Sequence, residues 1–129
     1  MSGGPLSDGI QFPADASPAV ELAGGTVRRR VLAHGGGHGG GHGGGLMLAE
    51  VSFEPGAIGA EHRHPHDQIT YVLSGAFEYR IEDEAGAMRT CTVRRGDSLF
   101  LRGGGLHGTT CLEKGILLDI FTPQREDFL

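Results

Sequence analysis

Apolar and polar residues alternate along most of this chain with a period of two, the signature of strands half-buried in a sheet. The cleanest stretch is 76–81, where Phe77, Tyr79 and Ile81 share one face. Residues 27–33 and 46–53 have the same character, and the latter run into the turn Glu54-Pro55-Gly56. A further run, 69–73, leads to Gly75. A polar turn at 82–86 separates 76–81 from a return strand at 88–93, as in a hairpin. Short runs at 98–101, 107–112 and 115–121 complete the set, and no stretch before residue 122 has a helical period. Many short antiparallel strands at regular spacing predict an all-β sandwich or barrel in one domain.

Two regions fall outside this pattern. Residues 1–19, with Pro5, Pro13 and Pro18, are expected to form an irregular arm lying on the domain or on a dimer mate, ahead of a barrel spanning 20–129. The low-complexity insert 34–45 places His34, His38 and His42 four apart, but its glycines forbid a helix. Each glycine costs ~0.8–1 kcal/mol against alanine, roughly 8 kcal/mol for the nine. A mobile loop is expected; accessory chelation by the three histidines is the alternative. Arg28, Arg29 and Arg30 are read as charge on a solvated edge strand, with an anion contact at a site mouth as the other reading.

Length and charge narrow the class. A chain of 129 residues is one domain that buries roughly two thirds of its unfolded surface. A net charge of -5 without a basic patch argues against nucleic acid. No apolar run approaches membrane-spanning length and the start lacks a signal-peptide pattern, so no membrane partner and a cytoplasmic location are expected. Cys91 and Cys111, the only cysteines, are expected as buried free thiols.

The chemistry gathers in the stretch 56–75. His62 and His64 stand two apart, so on one extended strand both face the same way. Pro65 breaks the strand, and Gln68 stands at the mouth of the next one. Two imidazoles and an amide oxygen able to converge make a metal site short of one member. His66 rivals Gln68, but as a turn residue it is expected to be exposed. Further on, an apolar strand and a glycine-rich turn lead to His107. Asp119, if inward-facing, is a carboxylate in an apolar strand and a candidate general acid/base. Arg125 is suited to gripping a carboxylate through its planar fork, or else to pairing with Asp119 structurally.

These residues carry a family resemblance. The run from Gly56 through His62, His64 and Gln68 to Gly75 resembles the first cupin motif, with Gln68 where glutamate is usual. Gly96, Gly104 and His107 resemble the second, with Arg102 where proline is usual. The pattern H-x-H-P-H-x-Q-x-x-Y-V-L-x-G with the ending D-x-F-x-P-x-R-E-D-F-L is similar to the pectin-degradation cupins of the KdgF type.

The resemblance implies a jelly-roll barrel with His62, His64, Gln68 and His107 as metal ligands. It makes Asp119, Phe121 and Arg125 the catalytic and substrate-contacting set. One divalent ion is expected, with nickel, zinc, manganese and iron all compatible with imidazole ligands. The implied reaction opens cyclic 4,5-unsaturated monouronates, released from pectin or alginate, into linear keto forms. The implied partners are a small anionic sugar acid and a second copy in a homodimer. An iron-dependent dioxygenase and a non-catalytic sugar-acid binder are the rival readings. Three neutral imidazoles and a neutral amide would leave the ion its full charge, which favours Lewis-acid over oxidative chemistry.

Overall fold

The structure, a computed structural model, describes residues 10–37 and 44–129. Eight strands run through them: β1 (Val20–Leu22), β2 (Val27–Gly35), β3 (Leu46–Phe53), β4 (Ile58–His62), β5 (Asp67–Glu82), β6 (Met88–Arg94), β7 (Ser98–Leu101) and β8 (His107–Thr122). Single 3-10 turns occupy Ala23–Gly25 and Glu126–Phe128. The order is β1-β2-β3-β8-β5-β6, with β4 added against β8 and β7 against β5. All pairs are antiparallel.

The sequence pattern predicts two short strands on either side of Gly75 and two more on either side of 113–114. Each pair is instead one continuous strand of 16 residues. The interruptions are irregularities in the β5–β8 ladder, where register shifts lie between Val72 and Phe77. Gly75 has φ +83°, and a Cβ on Gly115 would stand 2.1 Å from the Ser74 carbonyl oxygen. Only glycine lets the two backbones approach this closely. The first half of β5 pairs with β7 and the second half with β6, so the long strands carry the sheet around a corner. Phe53 and Phe77 meet edge to face across the interior, ring centroids 5.2 Å apart, in a core with Val27, Val72, Leu101 and Leu117.

Inward positions change character along β5 and β8. Val72 and Leu117 continue the apolar core, but Gln68, Thr70 and Asp119 are buried too, while Ile69, Tyr71, Leu73 and Ile120 face out. Polar residues inside and apolar ones outside reverse the usual economy of a strand. That reversal marks the end of the barrel where the site lies.

Other expectations need correction. β2 lies between β1 and β3, so Arg28 and Arg29 are not on a sheet edge: Arg29 pairs with Val20 on one side and Val51 on the other, while Arg30 pairs with Glu50 alone. Cys111 is buried but Cys91 is exposed, because it lies on β6 at the margin of the sheet; both are free thiols. β2 continues through His34 and Gly35, whose partners are Met47 and Leu46. His38 and His42 lie outside the described residues. Among the described residues no helix is long and apolar enough to cross a membrane.

Candidate metal centre

β4 ends at His62, which pairs across the ladder with His107 at the start of β8. His64 is not on that strand: it follows in the segment leading to β5. It nevertheless joins the other two. Ring centroids are 4.6 Å apart for His62 and His107, 4.9 Å for His64 and His107, and 5.4 Å for His62 and His64. One ring nitrogen from each lies within 4.8 Å of the others, close enough to hold a metal ion.

The tautomers suit that task. Nδ1 of His62 faces the Ala60 carbonyl at 2.8 Å, that of His64 faces the His66 carbonyl at 3.0 Å, and that of His107 faces the Gly105 carbonyl at 3.3 Å. Each Nδ1–H therefore donates to backbone and leaves a lone pair on Nε2. Burial, reinforced for His107 by its histidine neighbours, lowers the pKa of His64 and brings that of His107 to about 4. Both imidazoles are thus neutral, the form that binds metal, at neutral pH.

Gln68 supplies the sharpest test of fit. Its Oε1 lies 3.0 Å from His64 Nε2, while its Nε2 donates to Thr70 Oγ1 at 2.9 Å. Thr70 in turn donates to Asp119 Oδ1 at 2.7 Å. With Asp119 ionised, this chain has one direction: Thr70 gives its proton to Asp119, accepts from the Gln68 amide, and leaves Oε1 turned toward the histidines. Two lone-pair acceptors then face each other at hydrogen-bond distance, an arrangement that a cation between them would satisfy. The donor set fits a divalent ion.

Asp119 faces inward, with 9% of its surface exposed. Burial pushes its pKa up to about 6, against the opposing hydrogen bonds from Thr70 and Gln68. A carboxyl near this range can both take and return a proton around neutral pH. The alternative pairing with Arg125 is absent. Arg125 instead grips Asp127 with two bonds, Nε to Oδ1 at 2.9 Å and Nη2 to Oδ2 at 2.8 Å.

A cavity of about 210 Å³ joins these groups; its lining includes His62, Gln68, His107, Asp119, Phe121 and Arg125. All of the expected site residues line it except His64, whose ring packs edge-on against Phe121 at 5.8 Å between centroids. His66, expected as exposed, is half-buried because its ring lies beside His64 and Phe121, 5.5 and 6.4 Å between centroids. It is outside the three-histidine cluster.

The rim holds the cluster together. Gly104 N–H donates to the His64 carbonyl at 2.8 Å and Gly103 N–H to Asp67 Oδ1 at 2.7 Å. A Cβ on Gly103 would meet the Pro65 carbonyl oxygen at 2.3 Å, so the glycine turn after Arg102 cradles the segment carrying His64. Glu82 joins the other two sides: it pairs with Arg63 at 2.5 Å, between His62 and His64, and accepts Leu106 N–H at 3.2 Å, next to His107.

Sequence reasoning missed Thr70 and Phe128, and it placed Arg29 in a solvated edge run with an anion contact only as the other reading. Thr70 stands two residues after Gln68 on the same strand, so it shares the inward face, a signal available from alternation alone. Arg29 also lines the cavity, on the inward parity of Val27. Nothing local marks Phe128.

A small antiparallel barrel with a histidine cluster inside its mouth defines a class, and the match bears it out: the chain belongs to the cupin family, matching the Cupin domain over residues 49–121. It is 38% identical over 120 residues to the pectin degradation protein KdgF of Dickeya dadantii (strain 3937), covering 92% of this chain and 96% of that protein. The structure of KdgF from Halomonas sp. superposes with a TM-score of 0.74 at 31% identity, covering 95% of this chain and all (100%) of that one. An RmlC-like cupin from Shewanella frigidimarina NCIMB 400 gives 0.71 at 32% identity, covering 95% and 97%.

Proposed function

We propose that this cupin is an enzyme that opens cyclic 4,5-unsaturated monouronates, of pectin or alginate origin, into their linear keto isomers. The observation that carries the reading is the buried carboxyl of Asp119 in one cavity with His62 and His107, linked through Thr70 and Gln68 to His64, the third of the convergent imidazoles. Similarity to a protein named for pectin degradation supports a sugar acid as the substrate class.

In this reading His62, His64, Gln68 and His107 hold one divalent ion, nickel, zinc, manganese or iron. When bound, the ion supplies Lewis-acid polarisation of substrate oxygens. Asp119 accepts the proton of the ring hemiacetal hydroxyl as the ring C–O bond breaks, and delivers a proton to the enol carbon as the ketone forms. The product is an isomer of the substrate, so no oxidant or reductant is consumed. Phe121 packs on the sugar, and Arg125, whose Cζ lies 5.1 Å from the Phe121 ring centroid, adds positive charge beside it.

The test is an absorbance assay with a 4,5-unsaturated monouronate, whose conjugated double bond is lost on conversion. The metal-loaded protein is expected to accelerate the loss over spontaneous opening, without oxygen uptake; no acceleration removes this substrate class.

A cytoplasmic homodimer completes the reading. Phe100, Ile69, Ile120 and Leu48 follow one another across four paired strands, and the first three are exposed. Such an outward apolar row supports a self-complementary interface with a second copy of the chain. Ile69→Glu is expected to sediment as a monomer where the parent sediments as a dimer; a monomeric parent overturns the assembly.

A further inference from the structure

The C-terminal turn brings an unexpected group into the site. Phe128 stands on the Glu126–Phe128 turn, and two guanidinium groups stack on its ring. The Cζ of Arg29 lies 3.6 Å from the ring centroid and that of Arg125 lies 4.1 Å away. Both arginines line the cavity that holds His62, His107 and Asp119.

Their charge balance differs. Arg125 spends two of its donor nitrogens on Asp127. Arg29, half-buried on β2, has no hydrogen-bond or ion-pair partner for its side chain among the described residues. Its neighbours on the strand are otherwise occupied: Arg28 is exposed, and Arg30 donates to the Ala14 carbonyl at 3.2 Å. Burial and the nearby Arg125 both work against the charge on Arg29, and Asp127 only partly offsets them. Two cations and one carboxylate leave this wall with one surplus positive charge; the cavity's other carboxyl, Asp119, is engaged by Thr70. A half-buried cation in that position gains most from an anionic ligand with two coplanar oxygens.

We propose that Arg29, held flat on the Phe128 ring, is a carboxylate-binding residue of this cavity and selects a monomeric sugar acid over its neutral counterparts. The volume, about 210 Å³, falls below the ~300–1,000 Å³ usual for drug-sized ligands and suits one sugar ring rather than an oligosaccharide. Phe128 acts as the positioning residue: its ring restrains a long side chain that would otherwise have to be ordered on binding. The proposal rests on the reading of the site as a uronate pocket, which its test separates from it.

The experiment compares the metal-loaded parent with Arg29→Met, Arg29→Lys and Phe128→Leu, using two probes. One is turnover of a 4,5-unsaturated monouronate; the other is calorimetric binding of galacturonate against its methyl ester. Arg29→Met is expected to raise KM about 10- to 100-fold with kcat within about threefold, and to erase the preference for acid over ester. Arg29→Lys, which keeps the charge but loses the planar fork, is expected to fall between. Phe128→Leu is expected to weaken acid binding less than Arg29→Met does. Metal content and melting temperature should be unchanged in Arg29→Lys, which serves if Arg29→Met does not fold. An Arg29 variant that keeps parental KM and acid-over-ester preference overturns the proposal. If the parent shows no turnover, the functional reading fails and the binding comparison alone decides the role of Arg29: loss of acid preference upholds it, and retention or absence of preference in the parent refutes it.

Discussion

The Thr70 hydroxyl donates to Asp119 Oδ1 at 2.7 Å while accepting the Gln68 amide at 2.9 Å. A fully buried threonine thereby ties the orientation of a proposed metal ligand to the charge of a proposed proton carrier. Thr70→Val keeps the shape and removes the link. Leaving the two partners unsatisfied is expected to cost ~1–3 kcal/mol of stability. Metal affinity is expected to fall ~10–100-fold, as for other groups that orient ligands. Thr70→Ser is expected to restore most of both. Metal titrations and thermal melts on the two variants check this, and parental metal affinity in the valine variant would show the relay to be incidental.

Asp119 and Arg125 have separate partners, so their variants should behave differently. Asp119→Asn retains an acceptor for Thr70 and is expected to keep metal and melting temperature while losing ~10²–10⁴-fold in kcat. Arg125→Ala is expected to act mainly on KM. Steady-state kinetics with metal content measured on each sample separates the two effects. Parental turnover in a folded, metal-loaded Asp119→Asn protein would end the proposed proton transfer.

Metal retention should follow the cluster and not the His-Gly insert. His62→Ala and His107→Ala are each expected to strip the tightly held ion, as measured by elemental analysis after dialysis. His34 is engaged with Gln124 at 3.2 Å, away from the cluster, and His34→Ala is expected to retain the ion. Loss in the His34 variant with retention in His107→Ala would reverse the assignment.

Glu82 gives a pH signature to the rim. The Arg63 guanidinium, with the Leu106 amide, holds its carboxyl down at about 2, against ~4.3 for a free glutamate. A depressed carboxyl pKa stabilises the fold above the unfolded value, and that contribution is lost as pH falls from ~4.3 toward about 2. Glu82→Gln is accordingly expected to melt below the parent at pH 6–7, with the gap closing toward pH 2. Melting curves over that range test it; a gap constant with pH would mean that Glu82 acts by packing alone.

At the corner of the barrel, Gly115→Ala sets a Cβ 2.1 Å from backbone, where nothing flexible can yield. Gly86→Ala meets open space, but its backbone has a positive φ, +85°, which Gly115 does not share. The Gly86 variant is expected to lose ~1–2 kcal/mol from conformation alone. The Gly115 variant is expected to lose several times more or to fail to accumulate as soluble protein. Equal denaturation midpoints for the two would show that the corner relaxes.

The sequence by itself determined what depends on neighbours along the chain. Period-two alternation marked β2, β3 and β5 to β8, and His62, His64, Gln68 and His107 stood at recognisable spacings from their glycines. Asp119 declared itself as a carboxylate in an apolar strand. Tertiary structure alone decided which groups meet. Arg28, Arg29 and Arg30 looked like one solvated run, yet strand parity turns Arg29 inward and the C-terminal turn sets Phe128 beneath it. Arg125 found Asp127, two residues away, rather than Asp119, because the 3-10 turn folds those side chains together. Gly75 and 113–114 looked like strand ends, and only the ladder between β5 and β8 shows them as a bend in continuous strands. The physical reason is range: alternation reports which face a residue takes, while its partner across the interior depends on strand order and register between segments far apart in the chain.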